Sequence, residues 1–389
     1  MKIMLAAAAF SSEMSGVQRH GFNVVRCLLA QPEISAVHLV VAPWQRALVQ
    51  SFGFEPDERL KVHLAAMDRS AVGRNLWYAH ELPLLAAQEG VDLVHLAYPV
   101  PVQTGTYRSP VVVTLHDLYP YEIPRNFGLS KMLFNRIILR RCLHRVDGIA
   151  CVSQITITRL GQYLPSMQHK AVRIYNCVTP SQTVADRPPI PGWEESPFLL
   201  CVAQHRRNKN IPLLLHIFAE LLESRRIDSA MKLLVVGIPG PETRCIRRAI
   251  VRFGLEERVI LLDGLSEAEL QWCYTRCEVL VAPSSTEGFG LPIAEAMLAG
   301  CRIVCSDIPA FREAGVGHCR FVALGRDAVQ HFASAITEML AQPRPAPLAL
   351  LHLSMHELGM QYVAFYRRLL AVTPSAARLQ AGAAERLPG

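Results

Sequence analysis

The chain of 389 residues has few charges for its length, 19% against 51% hydrophobic residues, which is globular composition and too apolar for general disorder. It has no run of about 18 apolar residues, which excludes a spanning helix. No Cys-x-x-Cys occurs, and the 11 cysteines are scattered singly. The two Cys-x3-Cys pairs, Cys273/Cys277 and Cys301/Cys305, lack partners at metal spacing, so no zinc site is legible. An odd count without a framework points to reduced thiols in the cytosol, most of them core filler. His352 and His356 are four apart, but no Glu follows His352 as the zinc-protease motif requires. The first strand–helix junction has no Gly-x-Gly-x-x-Gly, which disfavours a dinucleotide oxidoreductase. No aromatic-basic recognition module is present, so the formal net charge of +7 does not indicate nucleic acid. The apolar start, residues 1–10, has one basic residue and no good small-x-small cleavage site; it reads as a buried first strand.

What is present is a repeated strand-then-helix pattern. In the first half, strands are expected at 2–8, 37–42, 93–97, 111–115, 148–152 and 171–175, with helices such as 18–30 and 130–145 between them. The pattern restarts with strands at 198–203, 231–236, 259–262, 279–282, 303–305 and 320–322. Helices are expected at 211–224, 241–253, 267–277, 292–299 and 327–340. Several strands are continuous apolar runs, as in sheets covered on both faces. The fold class is therefore α/β, two Rossmann-like doubly wound parallel-sheet domains facing across a cleft. The proline-rich stretch 179–197 reads as the linker. The expected division is an N-terminal domain at 1–185, a C-terminal domain at 196–350, a helix at 351–372 and a frayed tail at 374–389.

The chemistry is concentrated in residues 279–300. An apolar strand ends at Pro283. A polar loop with Gly288 and Gly290 follows, where backbone can approach a ligand closely. Pro292 suits a first helical turn and Gly300 a helix end. Amides from Gly290 to Ile293, Pro292 excepted, are then expected to face a phosphate or a sugar hydroxyl. Glu287 and Glu295 frame this loop. An acid in a first helical turn also has a plainer explanation in the helix dipole, which leaves both readings of Glu295 open.

The run Pro-Ser-x-x-Glu-Gly-Phe-Gly-Leu-Pro-x-x-Glu-Ala-Met-x-x-Gly resembles the signature of the family 4 retaining glycosyltransferases of the GT-B fold, and its two glutamates match the E-x7-E motif. The resemblance covers about residues 1–372 and is strongest in 259–315. It implies that Glu295 binds the ribose of a nucleotide sugar and that Glu287 contacts the donor sugar. Amides around Gly288, Phe289, Gly290 and Leu291 would hold sugar and phosphate. Residues 201–210 are similar to the family's first strand–loop of the C-terminal domain, where a cationic pair can neutralise a diphosphate leaving group. Lys209 aligns with one cation. The other is Arg207, with Arg206 as the alternative, because the family's usual position carries Gln204 here.

Residues 112–120 resemble the family's His-Asp strand end, which places His116 near the donor sugar and leaves Asp117 to order the loop. Gly264 corresponds to a region bordering the base, and Tyr274, Ser153 and Asn176 agree more weakly. The first loop departs from the pattern, with Ser15-Gly16 in place of paired glycines; Gly16 can still open a helix toward phosphate or acceptor. The last helix lacks the usual Ser-Trp pair, yet Leu358, Tyr362, Phe365 and Tyr366 continue an apolar seam, and in this fold that helix crosses back to the N-terminal domain.

Metal-dependent transferases commonly use Asp-x-Asp, and the sequence has none. The implied enzyme therefore needs no metal or other cofactor: helix amides with Arg207 and Lys209 do the electrostatic work. The expected activity is retaining transfer of a hexose, mannose favoured, from GDP-mannose or a UDP-sugar to a glycan or lipid-linked saccharide in bacterial surface-polysaccharide assembly. The alternatives are another GT-B enzyme, an epimerase or phosphorylase, or a degenerate scaffold. The expected location is the cytoplasm. Arg125, Lys131, Arg136, Arg140, Arg141 and Arg145 interleave with Leu133, Phe134, Ile137, Ile138 and Leu139. Such a stretch can lie on an anionic leaflet, or it can pack its apolar side on the sheet with its basic side solvated.

Overall fold

The computed structural model describes residues 1–123, 129–179, 184–190, 192–193, 196–315 and 317–372, the side chains of 104 and 129–131 excepted. It divides into two compact units, Met1–Cys177 with the chain from Leu351 onward, and Val178–Leu350. The division falls just ahead of the proline-rich stretch, parts of which, like the tail from 373, lie outside the described residues.

The N-terminal unit is built on β1 (Lys2–Ala6), β2 (Ala36–Val41), β3 (Leu60–Leu64), β4 (Leu93–Leu96), β5 (Val111–Leu115), β6 (Gly148–Cys151) and β7 (Ala171–Arg173). These form a seven-stranded sheet, order β3-β2-β1-β4-β5-β6-β7, in which every pairing is parallel. β1 lies near the centre, and Ile3 to Ala6 are buried, so the apolar N-terminus is core strand. The C-terminal unit carries β8 (Phe198–Val202), β9 (Lys232–Val236), β10 (Val259–Leu262), β11 (Val279–Ala282), β12 (Ile303–Ser306) and β13 (Arg320–Val322), in the parallel order β10-β9-β8-β11-β12-β13. Chain order reverses between β1 and β4 in one sheet and between β8 and β11 in the other. A ligand crevice forms at such a switch point, beyond the strands' carboxyl ends.

The helices of the N-terminal unit are α1 (Gly16–Leu29), α2 (Arg46–Phe52), α3 (Ala71–Leu76), α4 (Leu82–Glu89), α5 (Tyr119–Glu122), α6 (Leu129–Arg145) and α7 (Gln154–Tyr163). Those of the C-terminal unit are α8 (Ile211–Glu223), α9 (Thr243–Arg252), α10 (Glu267–Arg276), α11 (Leu291–Leu298), α12 (Pro309–Ala314) and α13 (Ala328–Leu340). The last, α14 (Met355–Val372), belongs to the N-terminal unit and packs on α1. Gly359 makes that approach close: a Cβ there would meet the Cys27 carbonyl oxygen at 2.3 Å. Its Tyr362 and Tyr366 are fully buried, each contributing roughly 2–3 kcal/mol by transfer from water.

One strand, β3, escapes the sequence pattern. It is an edge strand whose Lys61 and Val62 are exposed, so it has no continuous apolar run. All eleven cysteines are free thiols, and nine of them are buried.

Candidate active site

In the C-terminal unit the chain leaves β8, runs through a short 3-10 turn at Arg207–Lys209, and enters α8 after Asn210, whose backbone is left-handed at φ 54°. From the adjacent β11 it passes through residues 283–290 into α11. The two loops are tied together. The Ser285 amide donates to the Asn208 carbonyl at 2.7 Å, and the buried Asn208 side-chain amide donates to the Thr286 carbonyl at 3.2 Å. These bonds bring Lys209 and Glu287 together: Lys209 Nζ donates to Glu287 Oε1 at 2.6 Å. Both side chains are largely covered, 17% and 9% exposed, so the pair is formed where water screens poorly. The Lys209 ammonium carries three N–H donors and the Glu287 carboxylate two acceptor oxygens. Arg206 and Arg207 are both exposed. The pair stands at the switch point, since β8 and β11 are the strands where the order reverses.

The start of α11 is set by Gly290, which has φ 108° and whose Cβ would meet Phe311 at 2.9 Å. Both facts require glycine. Two details differ from the sequence reading. The Ile293 amide donates to the Gly290 carbonyl at 3.0 Å, so it is committed within the helix. Glu295 is the fifth residue of α11 and lies past its first turn, so the dipole explanation does not hold for it. Its carboxylate is instead fixed by a neighbour: Tyr274 Oη on α10 donates to Glu295 Oε2 at 2.6 Å. Tyr274 is buried and anchored by Arg344, which donates to its carbonyl at 2.6 Å. Phe289 is buried, while Gly264 is exposed at the end of β10 with φ 69°.

In the N-terminal unit, taken by itself, His116 is the residue after β5. Its Nε2 lies 2.9 Å from the Ala97 carbonyl oxygen, at the end of β4. A carbonyl only accepts, so Nε2 carries the proton and Nδ1 presents a lone pair. Burial pushes the His116 imidazole down to about 4, against a smaller raising effect of the Ala97 bond, which keeps it neutral near pH 7. His20 of α1 packs edge-to-face on it, centroids 4.8 Å apart. Asp117 orders the loop, accepting from the Tyr119 amide at 3.0 Å. Gly16 is exposed at the start of α1, which is capped by a reciprocal Ser15–Gln18 pair.

Sequence reasoning missed the residues that hold these groups, Asn208 above all. Its signal in the sequence was an Asn set between the cations Arg207 and Lys209. It also missed His20 as the ring packed on His116, because the two lie far apart in the chain.

Helix α6 presents Leu133, Phe134 and Ile137 to solvent, each about half exposed, with Arg140 and Arg141 exposed beyond them. Leu139, Cys142 and Leu143 face the core. Arg136 is occupied by the Pro120 carbonyl and the Tyr121 ring. Arg125 and the Lys131 side chain lie outside the described residues. Among the described residues no helix is long and apolar enough to cross a membrane.

Comparison with known proteins gives two family models in succession, Glycosyltransferase Family 4 over residues 14–182 and Glycosyl transferases group 1 over residues 185–349. The chain is 28% identical over 202 residues to the O-antigen chain mannosyltransferase RfbU of Salmonella typhimurium, a match that covers 52% of this chain and spans only about half, 53%, of that relative's length. It is 24% identical over 344 residues to O-antigen chain mannosyltransferase B of Escherichia coli, covering 83% of this chain and 86% of the relative. Among solved structures, sucrose-phosphate synthase from Thermosynechococcus elongatus superposes with a TM-score of 0.70 at 16% identity, over 96% of this chain and 100% of the other.

Proposed function

Because the chain belongs to the family 4 glycosyltransferases of the GT-B fold, we propose that it transfers a hexose, mannose favoured, from a nucleotide sugar to a glycan or lipid-linked saccharide during surface-polysaccharide assembly. The observation that carries the reading is the Lys209–Glu287 pair at the β8/β11 switch point, with Glu295 on the helix that follows. A nucleoside diphosphate brings negative charge, and Lys209 has donors to spare for it. Arg207, or Arg206, supplies the net positive charge, since Lys209 starts out balanced by Glu287. The Gly290 and Leu291 amides add fixed dipoles, with Gly288 and Phe289 shaping the loop. As phosphate draws Lys209 away, Glu287 is released to accept from hydroxyls of the donor sugar. Glu295, already oriented by Tyr274, receives the ribose hydroxyls, and Gly264 leaves room for the base.

In the reaction the bond from the anomeric carbon to the diphosphate breaks. The acceptor oxygen bonds that carbon on the same face, and the acceptor's proton passes to a phosphate oxygen. The configuration is retained, and no enzymic nucleophile is required. Neutral His116 offers its Nδ1 lone pair to a donor-sugar hydroxyl, and Gly16 leaves the α1 start open to the acceptor. The cationic groups and amides carry the leaving-group charge in a sequence that lacks Asp-x-Asp, so the reading invokes no metal.

The test is product analysis with GDP-mannose, UDP-glucose, UDP-N-acetylglucosamine and UDP-galactose, each offered with a lipid-linked saccharide. Transfer from one donor with retention supports the reading. Release of an epimerised sugar, or sugar phosphate formation without a nucleotide donor, would replace it with the epimerase or phosphorylase alternative.

The outward face of α6 favours a second element of the reading, peripheral contact with an anionic leaflet on the cytoplasmic side, where a lipid-linked acceptor would be found. Leu133, Phe134 and Ile137 would enter the interface, with Arg140 and Arg141 at the headgroups. Sedimentation with phosphatidylglycerol vesicles at low salt should carry the protein down, and a Phe134→Ser, Ile137→Ser variant should stay in solution. A wild-type protein that stays in solution contradicts this element.

A further inference from the structure

Behind His116 lies a buried polar chain that nothing in the proposed chemistry uses. His20 Nε2 is 3.2 Å from Thr114 Oγ1, and His95 Nε2 is 2.9 Å from the same oxygen. His95 Nδ1 is 2.6 Å from Tyr366 Oη on α14. Thr114 has one hydroxyl proton, so at least one of the two imidazoles donates to its oxygen. Each member is thus tied to the next, so that His20, Thr114, His95 and Tyr366 form one continuous run of polar contacts. Every one is at most 3% exposed. The titratable groups facing the chain include His116 beside His20 and His95, Tyr362 beside Thr114, His95 and Tyr366, and Cys27 beside Tyr366; the neutral Asn176 side chain faces His20. Burial holds His20 and His95 well below the ordinary imidazole range, His95 at about 3, so both are neutral.

Among the described residues, the Ala97 carbonyl and the perpendicular ring of His20 contact the His116 ring from outside its own loop. The first sets its tautomer; the second blocks it from swinging. An imidazole on a helix has more than one staggered rotamer open to it. The buried chain removes that freedom. We propose that His20 is a positioning residue for His116, held in place by Thr114, His95 and Tyr366, so that the last helix of the chain helps aim the His116 lone pair. This rests on the reading of His116 as a ligand of the donor sugar.

The experiment uses the full chain labelled with 15N-histidine, as wild type and as Thr114→Val, Thr114→Ser and Tyr366→Phe. Imidazole spectra at pH 7.5 report each tautomer, and steady-state kinetics separate kcat from donor KM. Wild type should show His116 as a single tautomer protonated on Nε2. In Thr114→Val the His116 signal should become an average of two tautomers, with kcat lower by roughly threefold to tenfold and donor KM nearly unchanged. Thr114→Ser, which keeps the hydroxyl, should restore both readouts. Tyr366→Phe should shift His116 in the same direction by less, and serves if Thr114→Val does not fold. A wild-type His116 signal and kcat in both Thr114→Val and Tyr366→Phe would overturn the inference. Full turnover in His116→Ala would instead remove the donor-sugar reading of His116, and the spectra would still decide whether the chain orients it.

Discussion

Lys209 and Glu287 are 78 residues apart in sequence and joined by a 2.6 Å charge-assisted hydrogen bond. Each follows one of the two strands at which the sheet order reverses. The pair satisfies both ions in the absence of ligand, at a position where either ion alone would be poorly solvated.

That arrangement makes the two residues competitors. In Glu287→Gln the ammonium loses its carboxylate and is freer to meet a diphosphate. Nucleoside diphosphate should bind roughly threefold to tenfold tighter than in wild type, while transfer falls by at least about a hundredfold. Isothermal titration beside turnover checks both. Weaker diphosphate binding in this variant would mean that Lys209 does not serve the phosphate.

The Tyr274–Glu295 bond gives a second expectation. Removing the hydroxyl in Tyr274→Phe leaves the carboxylate unaimed, at a cost of about 1–2 kcal/mol in ribose recognition. Donor KM should rise by about fivefold to thirtyfold with kcat little changed. Equal KM values would place Glu295 away from the donor.

These two bonds show where sequence reasoning stops. Continuous apolar runs such as Leu199–Leu200 and Val279–Val281 announce buried parallel strands, because burial on both faces leaves no alternation. β3 did not announce itself, since an edge strand with Lys61 outward has no such run. The E-x7-E spacing pointed to both glutamates, but spacing cannot say what a carboxylate touches. Glu295 was expected in a first turn because Pro292 suggested the helix start; the start is fixed instead by the conformation of Gly290. The buried chain from His20 to Tyr366 joins residues 346 positions apart (366 − 20), and no local pattern encodes that contact.

The same chain sets a pH dependence. His116 and His95 have folded-state values of about 4 and about 3, below their ordinary value of 6.5, and His20 is lowered as well. Groups lowered on folding stabilise the fold above their unfolded pKa. As pH falls below about 6.5 the unfolded chain takes up protons that the folded chain refuses, so stability drops toward pH 4. The slope is at most about 1.4 kcal/mol per pH unit for each such histidine. Urea unfolding between pH 7.5 and 5 should show this loss, and His95→Gln should show a shallower one. A flat profile in wild type would contradict neutral burial of these rings.

The most direct measurement is calorimetric titration of the wild-type chain and of Lys209→Met with GDP and with UDP at low salt. The account predicts that one of the two nucleotides binds the wild type and that its affinity falls by at least about tenfold in the variant. Failure of both nucleotides to bind the wild type, or equal affinity in a folded Lys209→Met protein, would contradict it.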